Sequence, residues 1–215
     1  MKHRTPEEAY GPALEKAVSD LRPLDPWLVA LRSDTKYTSL TETSSQIEVR
    51  FWGKDYVVRY PEVSVEEVEK MAVGQEPPIA IKILILHYLI NADGVHLADS
   101  WVAFRELPGG RVYDAAFRRR ANLRLAQTFG RDLDGFVAAA EALGGTRLTY
   151  GDASFLFPIF PRLRLAAVLY LADEEFPASA NVLFDAAASR YLPTEDLAVL
   201  GGMLAGRLVK ARGGQ

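Results

Sequence analysis

Apolar positions crowd most densely between Pro77 and Asn91. There Ile79, Ile81, Ile83, Leu84, Ile85, Leu86, Tyr88, Leu89 and Ile90 leave no polar face at helical spacing. The pattern predicts a helix over 77–91 that is covered on all sides, with Pro77-Pro78 in its first turn and Asn91-Ala92-Asp93-Gly94 as its stop. The partly β-branched run 79–86 also fits a buried strand, but its length and the Pro/Gly brackets favour the helix. It is too short to cross a bilayer, which takes about 20 apolar residues.

The preceding chain alternates between capped helices and one hairpin. Thr5-Pro6-Glu7-Glu8 reads as an N-cap, a proline at the first helical position and acids on the positive helix end, predicting a helix to about Leu21. Asp25-Pro26 opens a second, short helix through Trp27, Leu28 and Leu31. Residues 35–45 are polar, Ser/Thr-rich and expected to be irregular. From Gln46 to Trp52, Ile47, Val49 and Phe51 alternate with Glu48 and Arg50, Gly53-Lys54 reads as the turn, and the chain returns over 55–60. Ser64-Val65-Glu66-Glu67 is read as the start of a brief acidic helix to Ala72.

After the central helix, 100–105 reads as a strand ended by Pro108-Gly109-Gly110, 113–129 as one long helix stopped by Gly130, and 133–143 as another. The period then becomes that of strands over 146–150, 155–160, 163–171 and 181–185. Thr194 is expected to cap a last helix with Glu195 and Asp196 in its first turn and Lys210 and Arg212 near its end. The expected fold class is α+β, mainly antiparallel, with the 77–91 helix buried and other helices outside. Residues 1–45 are expected to form a helical arm packed on the core, and 46–215 a single domain.

Composition narrows the function classes. In 215 residues, hydrophobic content of 49% and charged content of 25% are those of an ordinary globular protein. A net charge of −3 gives no global attraction to nucleic acid or anionic membrane, so neither is expected as a partner. The absence of cysteine excludes disulfides, thiolate nucleophiles and any iron–sulfur or zinc site built from this chain's own thiolates. Met1-Lys2-His3-Arg4 leads into acidic residues without the apolar core of a signal peptide, so a cytoplasmic location is expected.

The densest polar groups lie in the last third, in Gly151-Asp152-Ala153-Ser154, Asp173-Glu174-Glu175-Phe176-Pro177, Leu183-Phe184-Asp185 and Tyr191-Leu192-Pro193-Thr194-Glu195-Asp196. With His87-Tyr88-Leu89 and Phe104-Arg105-Glu106-Leu107-Pro108-Gly109-Gly110, these motifs run in order from about residue 51 to 208. Together they resemble a bacterial and archaeal family called domain of unknown function 3786. The resemblance implies no catalytic residue. Through relatives fused to a cysteine-rich module, it implies an accessory role beside an iron–sulfur or corrinoid partner of anaerobes.

Two readings of the acids stand side by side. Asp173, Glu174 and Glu175 are oxygen donors suited to Ca²⁺ or Mg²⁺, but their spacing matches no metal loop, and a solvated loop is expected. If 165–171 and 181–185 pair as a hairpin, Asp185 lies at the far end from Asp173. On a single 113–129 helix, Arg120 and Arg124 share a face with Tyr113, Phe117 and Ala121. An arginine there must snorkel to water, find a carboxylate from Asp152, Glu174, Glu175 or Asp185, or hold an anionic ligand.

His87 and Asn91 share a helix face without the His-Glu-x-x-His zinc pattern, and His96 follows beyond the turn. Two histidines also suit axial ligation of a haem or corrinoid. Ser154 lacks the Gly-x-Ser-x-Gly elbow. The expected function is therefore a non-catalytic small-ligand or cofactor-binding accessory protein, its cofactor unspecified, with Arg120, Arg124, Asp152, Glu174, Glu175 and Asp185 as candidate ligand contacts. The alternative is a hydrolase using His87 with Asp152 or Glu174.

Overall fold

The computed structural model describes residues 5–213, and local signals place most of its elements. The Thr5 hydroxyl accepts from the Glu8 N–H at 3.2 Å and the Glu8 carboxylate accepts from the Thr5 N–H at 3.0 Å. This capping box starts helix α1 (Pro6–Leu21) where the sequence puts it. Asp25 caps α2 (Pro26–Ser33) through the Trp27 N–H at 2.9 Å. The fold is α+β, with seven helices and two antiparallel sheets among the described residues. Its contacts group into two units.

The first unit takes the chain up to His96, with the short segments Ile159–Arg162 and Arg190–Leu192. Its sheet has the order β1-β2-β3-β4, all antiparallel, from β1 (Lys36–Ser39), β2 (Ser45–Phe51), β3 (Lys54–Tyr60) and β4 (Ser64–Glu67). Ile47, Val49 and Phe51 face inward as their alternation demands, with Val49 opposite Tyr56. The hairpin turn is Trp52-Gly53, one residue earlier than expected, and both residues have positive φ.

Two edge strands replace expected loop and helix. The polar 36–39 segment pairs with β2, and 64–67 pairs with β3 before a short 3-10 turn over 68–73. Ser64-Val65-Glu66-Glu67 has the two-residue period of an edge strand, with Val65 opposite Val58 and Glu67 turned inward.

The central helix α3 (Ile79–Asn91) is buried from Ile81 to Leu89, apart from half-buried Lys82 and His87. Pro77 and Pro78 precede it instead of forming its first turn, Pro78 standing as the N-cap with an extended ψ of 142°. Tyr88 lies flat against Phe160, with centroids 4.1 Å apart and planes at 4°, and Phe160 in turn contacts Phe51 of β2. Aromatic rings thus join α3 to the inner face of the four-stranded sheet.

The second unit carries a sheet of order β5-β9-β8-β7-β6. Its strands are β5 (Trp101–Ala103), β6 (Thr146–Leu148), β7 (Ala153–Phe160, its last two residues in the first unit), β8 (Leu163–Tyr170) and β9 (Ser179–Asp185). Helices α4 (Gly110–Arg120), α5 (Asn122–Phe129), α6 (Leu133–Ala142) and α7 (Thr194–Arg212) complete it. The last helix begins after Pro193, and the Thr194 hydroxyl donates to the Pro108 carbonyl at 2.6 Å instead of capping.

The expected single helix over 113–129 is two. The chain breaks at Ala121 (φ −113°, ψ −72°), which frees the Asn122 carboxamide to accept from the Val182 N–H of β9 at 3.1 Å. That tertiary bond outweighs the helical continuity suggested by sequence.

α4 is held by a narrow stripe. Residues seven apart share a helix face, and only the Gly110/Phe117 column faces the core. Phe117 stacks on Phe104 at 4.2 Å and 12°, and a Cβ on Gly201 of α7 would stand 2.5 Å from its ring. A Cβ on the neighbouring Gly202 would meet open space.

Candidate functional site

Two of the acidic candidates in the second unit, Asp185 and Asp152, are occupied by backbone. Asp185, 1% exposed, accepts from the N–H groups of Ala98 (2.9 Å), Asp99 (3.0 Å) and Ala187 (2.9 Å). It fixes the turn into β5, in which Asp99 has φ 50°. The Asp152 carboxylate accepts from the Leu171 N–H at 2.7 Å and ties down the end of β8. Asp173 accepts from the N–H groups of Glu175 and Phe176 at 2.9 and 2.6 Å, so the acidic loop is an Asx turn.

Glu174 and Glu175 are exposed. Glu174 lines a shallow cleft of about 690 Å³ with Asp173, Arg131, Asp132 and Asp134. Tyr170 opposite Ser179 closes the β8–β9 hairpin, so Asp185 stands at its far end, roughly 20 Å along the strand from the loop. No group of three or more His, Asp or Glu side chains able to hold a metal ion occurs among the described residues.

The first unit holds a buried polar cluster that sequence periodicity did not reveal. The Tyr88 hydroxyl donates to the Ser33 carbonyl at 2.7 Å and accepts from the Arg162 N–H at 3.1 Å. The Arg162 side chain donates to the Gly94 carbonyl at 2.8 Å, lies 3.3 Å from His96 Nδ1 and pairs with Asp34 at 3.6 Å. Tyr191 stacks on Tyr88 and donates to the Val95 carbonyl. Burial pushes the hydroxyl pKa of Tyr88 well above the ordinary phenol value and that of Tyr191 in the same direction.

These bonds fasten four separated segments of the first unit together. The signal came from hydrogen bonds spanning up to 96 positions, beyond any local motif. His87 lies on α3 in this unit, while Asp152 and Glu174 belong to the other.

Glu67 is the buried carboxylate of the first unit, 2% exposed. Burial raises its pKa, but hydrogen bonds and charge from Lys54 (2.6 Å) and Lys70 (3.2 Å) outweigh this and hold it below the usual carboxylate range. Its two oxygens accept from these lysines, Lys54 on β3 and Lys70 in the turn after β4.

The arginines of α4 and α5 are different. Between Gly110 and Phe129 stand five arginines and one acid, Asp114. Arg111, Arg118, Arg119, Arg120 and Arg124 are all exposed, and among the described residues none is in an ion pair. Arg120 and Arg124 sit on different helices because of the break at Ala121, so the expected shared face and its carboxylate partner do not form. Arg124 instead lays its guanidinium across α7, 3.3 Å from where a Cβ on Gly206 would lie.

A model for the domain of unknown function DUF3786 matches residues 25–207, most of the chain. The chain belongs to this family. The match runs from the N-cap of α2 into α7 and so takes in the acids, the Tyr88–Arg162 cluster and the arginine helices of this DUF3786 chain. No curated protein and no solved structure matches it.

Proposed function

We propose that this DUF3786 domain is a non-catalytic accessory protein that binds an anionic ligand or partner through the exposed arginines of α4 and α5. One observation carries the reading: five exposed arginines with a single acid among them, on helices of a chain whose net charge is −3. Helix electrostatics account for only part of this pattern. Arg118, Arg119 and Arg120 in the last turn of α4 complement its negative end, but Arg111 stands in the first turn, where a cation is unfavourable. Adjacent like charges repel, and an anion laid across them removes that cost and supplies paired acceptors for each guanidinium.

The hydrolase alternative, His87 with Asp152 or Glu174, has less support, since Asp152 already serves the Leu171 N–H through one oxygen and Glu174 stands in an exposed loop. The iron–sulfur or corrinoid partner rests on the family resemblance, whereas the residues themselves ask only for negative charge.

Titration of the full chain with inorganic polyphosphate, followed by arginine Nε–H and backbone NMR signals, tests the proposal. Shifts should concentrate over residues 111–124 and vanish with Arg118→Glu/Arg119→Glu. Shifts centred on the Glu174 cleft or on His87, or none anywhere, would reject it.

A further inference from the structure

Building on the arginine-face reading, we infer that the partner is another protein with an acidic surface that also takes up apolar side chains. The face is a mixed one. Three columns of α4 point outward, pairing Arg111 with Arg118, Val112 with Arg119 and Tyr113 with Arg120. Val112 is 80% exposed, Tyr113 51%, and Leu123 on α5 45%. Large apolar side chains thus stand among the charges.

The size of the patch and this mixing separate the possible partners. α4 alone is about 16 Å long, more than one phosphate or carboxylate spans. The two clefts flanking Arg131 in this unit are lined by none of the five arginines. A nucleic-acid backbone offers nothing to Val112 or Leu123, and the remainder of a chain of net charge −3 repels it. A helix lying in a lipid surface needs its apolar side separated from its charged side, whereas here Val112 and Arg119 share one column.

Clustered arginines beside an exposed tyrosine, with lysine absent from 105 to 131, match the residue preference of protein–protein interfaces. Tyr113 supplies an amphipathic anchor, and the flanking guanidinium groups take carboxylates in bidentate fashion.

Binding of the full chain to five probes at physiological ionic strength tests this: a glutamate–tyrosine copolymer, polyglutamate, a short DNA duplex, phosphatidylserine vesicles and inorganic phosphate. The copolymer should bind about tenfold more tightly than polyglutamate, and Tyr113→Ser should erase that difference. Arg118→Glu/Arg119→Glu should weaken copolymer binding by more than about tenfold. Melting temperatures check that the variants are folded, and if the double reversal is not, Arg118→Gln/Arg119→Gln serves with a smaller expected loss.

DNA or vesicles that match the copolymer, with the same arginine dependence, would overturn the protein partner and leave the anionic surface standing. Equal binding of copolymer and polyglutamate, unaffected by Tyr113→Ser, would likewise overturn it. If no probe responds to the arginine changes, both readings fall.

Discussion

Phe117→Ala is expected to lower stability by about 3–5 kcal/mol, the usual cost of emptying a large aromatic site in a core. The ring is 3% exposed and stacked on Phe104, it contacts Phe184 at 5.8 Å, and Gly201 of α7 makes room for its edge. Only the Gly110/Phe117 column of α4 reaches the core, and Gly110 cannot compensate because it has no side chain. Urea titration should show a lower midpoint with little change in slope. Loss of protection over 110–120 in hydrogen exchange should accompany it, because α4 has no other large anchor. A cost below about 1 kcal/mol would mean that α4 is held by contacts other than this stripe.

Asp185→Ala should be comparably severe, at about 3–5 kcal/mol. One buried carboxylate satisfies three backbone N–H groups, and alanine removes the acceptor of all three. Asp185→Asn keeps a single acceptor oxygen and should fall between the two. Thermal or urea melts of both variants provide the check. If the carboxylate were instead reserved for a ligand, its loss would leave stability nearly unchanged or raise it, as is common when a functional charge is removed. That outcome would return Asp185 to the binding candidates.

What could be read from the sequence depended on the range of the signal. Helix caps act over three or four residues, so Thr5, Asp25 and the stop of α3 were legible. So was the β2–β3 hairpin, because its alternation fixes which face is buried. The strands at 36–39 and 64–67 were missed because edge strands carry few apolar residues and owe their pairing to a neighbour. The break at Ala121 was invisible because its cause, the bond from Asn122 to Val182, crosses 60 residues.

The candidate site followed the same rule. Arg120 and Arg124 were recognised as unusual, yet with three consecutive arginines almost any assignment of helix phase puts one of them on an inner face. Only the observed burial of Phe117 and exposure of Tyr113 fix the phase and turn the charges outward. Asp152 and Asp185 were identified as dense polar positions. That they serve the backbone depends on partners at Leu171, Ala98 and Asp99, which no local motif announces.

The central claim is that the fold holds Glu67, Asp152 and Asp185 with its own groups and leaves the α4–α5 arginines for something outside it. Urea unfolding of Arg118→Gln/Arg119→Gln/Arg120→Gln is the most direct test, because glutamine keeps the length and helix preference of arginine while removing the charge. Stability should stay within about 1 kcal/mol of the parent, the lost favourable interaction with the helix end being offset by relief of repulsion between neighbouring cations. A loss of about 3 kcal/mol or more would show that these arginines hold buried partners and belong to the fold, contradicting their assignment as a binding surface.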